Sequence, residues 1–138
     1  MPHEHDPSVD VVFYCEADGT SPVKEWLDEL AASTSIRDNK LHDKCFQYFA
    51  MLETEGHTFT DGNRAKVCGN GLFDIRIGAK NVNFRILYFL HGRRLAVVAH
   101  WCTKERIIEE RDMALALKRR GLFLKDPDKH TWNEELEQ

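Results

Sequence analysis

Polar side chains alternate with apolar ones along three consecutive segments between residues 71 and 104. The polar members are Asp74 and Arg76, then Asn83 and Arg85, then His100. A guanidinium group binds phosphate through a fixed fork of N–H donors, and imidazole titrates near neutral pH. Two arginines beside a histidine therefore suit a phosphate that gains charge during a reaction.

The three segments are predicted β-strands joined by hairpins, at about 72–78, 82–90 and 94–101. Because side chains alternate between the two faces of a strand, apolar residues share one face. They are Phe73, Ile75 and Ile77; Phe84, Ile86, Tyr88 and Leu90; and Leu95, Val97, Ala99 and Trp101. We expect that face to pack on a core and the polar residues to line the other face.

The lengths of the two connecting loops decide which polar residues meet. A four-residue loop between the first two strands places Arg76 opposite Asn83 and Asp74 opposite Arg85. A two-residue loop between the last two places Asn83 opposite His100, with Arg85 diagonal to it. These registers gather all five residues on one patch. A solvated outer face of a one-sided sheet accounts for the same pattern, and this alternative stays open.

Two amphipathic helices are predicted ahead of these strands, after a short strand at about 9–15. Ser21 with Pro22 is suited to start the first helix, and Ser35 the second. Their apolar stripes are Val23, Trp26, Leu27, Leu30 and Ala31, and Leu41, Cys45, Phe49 and Leu52. We expect them to form a helical hairpin on the apolar face of the sheet.

The rest of the chain adds one loop and one helix. Residues 57–69 are predicted to be a polar loop, and 104–120 a helix that ends at Gly121, with Ile107, Ile108, Ala114 and Leu115 inside. The order is β-α-α-β-β-β-α, an α+β fold with a mainly antiparallel sheet packed on a helical hairpin. The 138 residues suit a single domain, 1–138, with a core at about 9–120 and a C-terminal extension at 121–138.

Charge is divided unevenly along the chain. Residues 1–60 hold 4 Lys/Arg and 12 Asp/Glu, residues 61–125 hold 14 and 6, and residues 126–138 hold 1 and 5. The strands therefore lie in a block of charge +8 between blocks of −8 and −4. A basic block attracts polyanions, nucleic acid above all, but it also suits packing against the acidic front half.

Composition limits the remaining function classes. No apolar run reaches membrane-spanning length, and the N-terminus lacks a signal-peptide pattern. The four cysteines have neither a C-x-x-C nor a zinc spacing, so we interpret them as free thiols of a cytoplasmic protein. The sequence predicts no metal site and no cofactor.

Four short motifs carry a resemblance to a known family. They are Gly71-Leu72-Phe73-Asp74-Ile75-Arg76, Arg85-Ile86-Leu87-Tyr88-Phe89, His100-Trp101-Cys102-Thr103-Lys104, and an opening of Val12-Phe13-Tyr14, Ser21-Pro22-Val23 and Trp26-Leu27-Asp28. Taken in chain order, over about residues 9–120, the four motifs resemble those of phage-derived, HigB-like toxins of the RelE/ParE superfamily. The resemblance implies a RelE-like fold and a type II toxin, an endoribonuclease (mRNA interferase) that cleaves messenger RNA, usually on the ribosome, and so inhibits translation.

Metal-free RNA cleavage needs a base, an acid and cations around the phosphorane. Read with the resemblance, the catalytic candidates are Arg76, Arg85, His100 and Lys104. Asp74 is the candidate orienting residue. The RNA-binding candidates are Arg64, Lys66, Lys80 and Asn83.

The chain also departs from the family pattern. Cys102 replaces an aromatic residue, Glu105 replaces a lysine, and Asp74 stands where related nucleases often carry a cation. A non-catalytic binding protein of the same fold, such as a gyrase inhibitor or an antitoxin-binding protein, is therefore the alternative. The partners expected are a cognate antitoxin and, for the nuclease, messenger RNA and the ribosome. No membrane partner is expected, and a homodimer stays open.

Overall fold

The computed structural model describes residues 8–61, 65–79, 82–103 and 108–132. The strands in chain order are β1 (Asp10–Phe13), β2 (Ala65–Gly69), β3 (Leu72–Ala79), β4 (Val82–His91) and β5 (Leu95–Thr103). The helices are α1 (Pro22–Ala32), α2 (Ile36–Glu55) and α3 (Glu110–Lys125). The fold is the expected α+β arrangement, with one strand more than the sequence predicts. Among the described residues, no helix is long and apolar enough to cross a bilayer.

The α1–α2 hairpin begins where the capping residues predict. The Ser21 hydroxyl accepts from the backbone N–H of Lys24, and the Ser35 hydroxyl accepts from that of Asp38. Both helices bury the predicted stripes against one face of the sheet, apart from Ala31, which is exposed. The anchor of this core is Trp26, whose ring stacks on Trp101 at 4.3 Å between centroids.

The five strands form one sheet in the order β1-β5-β4-β3-β2. β1 runs parallel to β5, and the other neighbours are antiparallel. Both faces of the sheet are covered, because α3 packs on the side opposite the hairpin. This second core holds Tyr14, Leu72, Leu87, Phe89, Val97, Ala99, Ala116 and Phe123. The polar face expected to be solvated is therefore partly covered by a helix.

The register between β3 and β4 differs from the expectation. Ala79 pairs with Val82, so the connecting loop has two residues instead of four. The register of β3 against β4 is therefore shifted by two residues from the expected one. Arg76 consequently lies opposite Arg85, and Asp74 lies opposite Leu87. The expected pairs of Arg76 with Asn83 and of Asp74 with Arg85 are wrong. A slide of two residues leaves every side chain on its predicted face, so apolar patterning does not detect it.

A β-bulge changes the faces of β5. The register shifts between Leu87 and Tyr88, and Leu87 pairs with His100 while Tyr88 pairs with Val98. Ala99 is the extra residue, so the strand switches face around it. Leu95, Val97 and Ala99 therefore pack with α3, whereas Trp101 packs with the α1–α2 hairpin, and the prediction that all four share one face is wrong. Asn83 does not pair with His100; it lies opposite Gly78.

The predicted loop at 57–69 contains regular structure. A short 3-10 helix, Gly56–Asp61, buries Phe59 completely, and β2 then adds an edge strand to β3. The strand has a weak sequence signal, because Lys66 and Val67 are both exposed and no alternation marks a buried face. The strand β2 places Lys66 directly opposite Asp74.

The last helix runs later than predicted. α3 passes through Gly121 and ends at Lys125, and Ala114 is exposed rather than inside. Burial of Phe123, whose ring meets Phe89 edge-on at 5.4 Å, outweighs the roughly 1 kcal/mol cost of a helical glycine. The predicted helix start at 104–107 lies outside the described residues.

The segment after α3 closes the other edge of the sheet. Thr131 forms a bridge with Tyr14, and the backbone N–H of Trp132 donates to the carbonyl of Phe13 at 2.8 Å. The ring of His130 stacks on Tyr14 at 5.3 Å. The described part of the acidic tail thus lies beside β1, across the sheet from β3 and β2. It does not cover the basic residues of those strands.

Candidate functional site

A buried ion pair lies at the centre of the polar face. Nη1 of Arg85 donates to Oδ2 of Asp74 at 2.6 Å, and both side chains are about 95% buried. The other carboxylate oxygen, Oδ1, lies 3.5 Å from Nε of Arg76, whose side chain is 42% exposed. Asp74 therefore joins one buried and one accessible guanidinium group. Asp74, the candidate orienting residue, thus lies within ion-pair distance of both arginines, and its orienting role stays a prediction.

An open cavity of about 250 Å³ begins at this pair. Cross-strand pairing sets exposed Lys66 opposite Asp74, so the described lining of the cavity holds three basic residues and one carboxylate. Ile108 and Met113 form the wall on the α3 side. The complete lining is Lys66, Val67, Cys68, Asp74, Arg76, Arg85, Ile108 and Met113. The cavity is therefore a basic cleft with one accessible arginine and one accessible lysine.

A second concave area of about 170 Å³ adjoins the cleft. Arg76 and Arg85 line both, and exposed Asn83 and Gly78 belong to the second. The two areas form a continuous strip across β3 and β4. An extended polyanion lying along this strip meets Lys66, Arg76 and Asn83 in turn.

His100 is held inside the protein by α3. Its Nε2 lies 2.8 Å from Oδ1 of Asp112, and its Nδ1 lies 3.3 Å from Nη1 of Arg119. The same Nη1 donates to the carbonyl of Ala99 at 2.7 Å. The side chain of His100 is only 13% exposed. Both ring nitrogens are therefore engaged in intramolecular contacts, and this network fastens α3 to the bulge in β5.

Burial also sets the protonation state of this histidine. It lowers the pKa of His100 below its ordinary value, and nearby Arg119 lowers it further, against an opposing effect of Asp112. Arg119 is a donor only, so Nδ1 accepts and the proton of the neutral ring lies on Nε2, facing the carboxylate. The lowered pKa of His100 favours this neutral ring.

Two thiols flank the ion pair. Burial, followed by the nearby carboxylate of Asp74, raises the pKa of Cys68 to about 12. Burial and then Asp112 raise the pKa of Cys102 to about 11. Because the thiolate is the nucleophile, neither cysteine is suited to attack a substrate near neutral pH.

Donor atoms that suit a metal also meet here. A ring nitrogen of His100, Sγ of Cys102 and a carboxylate oxygen of Asp112 lie within 4.8 Å of one another, a donor set that zinc accepts. A metal on Nε2 requires the ring proton on Nδ1, where it faces the guanidinium of Arg119. The hydrogen bonds therefore favour a network of His100 with Asp112 and Arg119 over a metal site.

The structure brings six predicted site residues to one face: Lys66, Asp74, Arg76, Asn83, Arg85 and His100. Three others, Arg64, Lys80 and Lys104, lie outside the described residues. Asp112 and Arg119 were missed as partners of His100. An acid and an arginine two turns apart on one helix were the available signal, because residues seven apart share a helix face.

The comparison with protein families gives one match. The family model described as Phage derived protein Gp49-like (DUF891) matches residues 25–121, more than half of the chain. This range includes every residue of the cleft and of its adjoining area. No curated protein matches the chain.

Proposed function

The chain belongs to the Gp49-like family of phage-derived proteins, within the RelE/ParE-like toxin superfamily, and from this premise we propose that it is a HigB-like endoribonuclease toxin. In this proposal it is the toxin of a type II toxin–antitoxin pair. It cleaves messenger RNA on the ribosome and is neutralised by a cognate antitoxin.

The observation that carries the proposal is the basic cleft. Its described lining holds three cations, Lys66, Arg76 and Arg85, and a single carboxylate, and Lys66 and Arg76 reach solvent. A phosphate entering the cleft meets N–H donors whose positions are set before it arrives. Such preorganised donors are worth most where negative charge develops, as on the phosphorane of RNA cleavage.

Burial divides the roles among the charged residues. Exposed Arg76 contacts the phosphate, with Lys66 beside it. Buried Arg85 acts through Asp74, whose two oxygens reach both guanidinium groups, so we assign it a positioning role rather than direct contact. Oxygen Oδ1 keeps Arg76 over the cleft.

Proton transfer makes a separate demand on the site. The lone pair of the neutral His100 ring lies on Nδ1, which becomes available only when its contact with Nη1 of Arg119 opens. In the proposed reaction, ribosome-bound RNA displaces α3 from His100, and Nδ1 then takes the proton of the 2′-hydroxyl. A general base must be neutral, and the burial that lowers the pKa of His100 favours that state before RNA arrives.

Replacement of Arg76 by alanine tests the proposal. Loss of one charge-stabilising donor typically costs on the order of 10²–10³ in rate, and Arg76→Ala should reduce message cleavage by that factor. Induction in bacteria followed by primer extension on a reporter message measures it. Arg93→Ala is the matched control, because Arg93 is an exposed arginine in the distant β4–β5 turn. Wild-type cleavage by a folded Arg76→Ala protein refutes the role.

A second candidate function rests on a different observation. The described lining of the cleft contains no histidine, and His100, on the same face of the sheet, has both ring nitrogens engaged. This geometry favours a non-catalytic toxin that grips a partner protein such as gyrase, or only its antitoxin. Growth arrest with intact messages and a DNA-damage response identifies the gyrase form, whereas cleavage within translated messages identifies the nuclease.

A further inference from the structure

We propose that the groove between α2 and the end of β3 is a docking site for an acidic segment of a partner protein that carries an apolar anchor residue. The groove has a volume of about 300 Å³ and lies beside the helical hairpin. Its floor is formed by Leu41 and Ala79, and Ile36 stands at one end. The inference concerns a surface, and it stands independently of the RNA-directed activity proposed above.

The apolar part of the groove is only partly covered by the chain itself. Ile36 is 71% exposed at the start of α2. Burial of an apolar side chain is stabilising, and most of the isoleucine surface remains available for burial by a partner. A Leu, Ile or Phe side chain inserted above Leu41 covers Ile36 at the same time.

The rim of the groove carries cations. Three basic residues, Arg37, Lys40 and Lys44, line it, and its described lining residues include no carboxylate. Lys44 donates from Nζ to the carbonyl of Gly78 at 3.0 Å, and an ammonium group has two further donors for an incoming carboxylate.

These cations lie in one stretch of helix. Lys40 and Lys44 are one helical turn apart, and Ile36 precedes Lys40 by the same spacing, so the three follow one row. The positive end of the α2 dipole lies at the same end of the groove. Charge and shape therefore match a segment with Asp or Glu on either side of one large apolar residue.

A protein segment fits better than nucleic acid. Single-stranded RNA is bound by stacking bases on aromatic or arginine planes, and the described lining has no aromatic residue. The guanidinium of Arg37 in this lining is paired with the carboxylate of Asp38 at 3.1 Å, which makes its planar face less available for a stacked base. An exposed aliphatic side chain adds nothing to phosphate binding but is the usual anchor point for a protein.

The position of the groove gives its occupant a consequence for the candidate site. Gly78 lines both the groove and the concave area that contains Arg76 and Asn83. A partner seated over Gly78 therefore reaches the rim of the basic strip. Inhibition by this route rests on the proposed function, whereas docking itself does not.

Selection from a displayed library of random 16-residue peptides, with the full chain as bait, tests the inference. We expect enrichment of peptides that place Leu, Ile or Phe between Asp or Glu residues. Ile36→Asp and Lys40→Glu should each weaken binding of the selected peptides at least tenfold, measured by fluorescence anisotropy. Both positions are exposed, so the variants should retain the wild-type melting temperature. Arg93→Glu is the matched control and should bind normally.

Two results overturn the proposal. One is the absence of acidic, apolar-anchored peptides among the selected sequences, or their equal binding to Lys40→Glu. The other is displacement of the peptides by a single-stranded RNA oligomer that itself loses affinity for Lys40→Glu, which makes the groove a polyanion site. Neither measurement depends on message cleavage, so failure of the nuclease proposal is recognised separately.

Discussion

Removal of one partner from the buried Asp74–Arg85 pair should destabilise the fold strongly. Breaking a buried ion pair typically costs about 3–5 kcal/mol, because a charge remains without full compensation. Arg85→Met leaves Asp74 with Arg76 at 3.5 Å, so we expect a loss near the lower value, about 3 kcal/mol. Asp74→Leu leaves Arg76 and Arg85, direct cross-strand partners, without the carboxylate between them. We expect the free energy of unfolding of that variant to fall by about 5 kcal/mol.

Thermal unfolding converts these energies into melting temperatures. For 138 residues the unfolding entropy is about 0.3 kcal/mol per degree, so the losses correspond to roughly 10 °C and 17 °C. The double variant Asp74→Leu/Arg85→Met replaces both charges by apolar groups and should be more stable than Asp74→Leu alone. Loss of activity in any of these variants must therefore be read against its stability.

The refuting result is equally specific. If Arg85→Met melts within about 3 °C of wild type, the pair contributes less than about 1 kcal/mol. If the two single losses simply add in the double variant, the residues are not coupled. Either outcome removes the argument that Arg85 acts through Asp74, and direct contact between Arg85 and RNA again becomes the simpler role.

Two further predictions concern the core and pH. Trp26→Ala removes the ring that stacks on Trp101, so the free energy of unfolding should fall by about 3–5 kcal/mol. Denaturant titration measures it, and the slope against denaturant concentration should not change. A fall of less than about 1 kcal/mol contradicts the packing described. Burial lowers the pKa of His100 below 6.5, so the unfolded chain binds that proton more tightly and stability declines as pH falls from about 6.5 towards the folded pKa. Between about pH 8 and pH 5, the free energy of unfolding should decline less steeply for His100→Gln than for the wild type. Identical pH profiles of the two proteins would contradict the lowered pKa of His100.

Local signals were sufficient for much of the fold. The caps at Ser21 and Ser35 and the apolar stripes of α1 and α2 act within a few residues of chain, so the sequence predicts these helices and the face that they bury. The alternation in β3 and β4 likewise places Asp74, Arg76 and Arg85 on one face, as the structure has them.

Contacts between distant segments determine the strand register and the helix ends, which local sequence patterns leave ambiguous. A two-residue slide of β3 against β4 preserves every face, so only the tertiary fold selects Arg85 as the partner of Arg76. The bulge at Ala99 and the late end of α3 depend on burying Val97 and Phe123 together. Hydrophobic patterning specifies which face a residue occupies, whereas register and helix ends depend on contacts between distant segments. For this reason the sequence indicates a basic face, and only the tertiary structure shows Arg76 open to solvent, Arg85 buried on Asp74 and His100 fastened to α3.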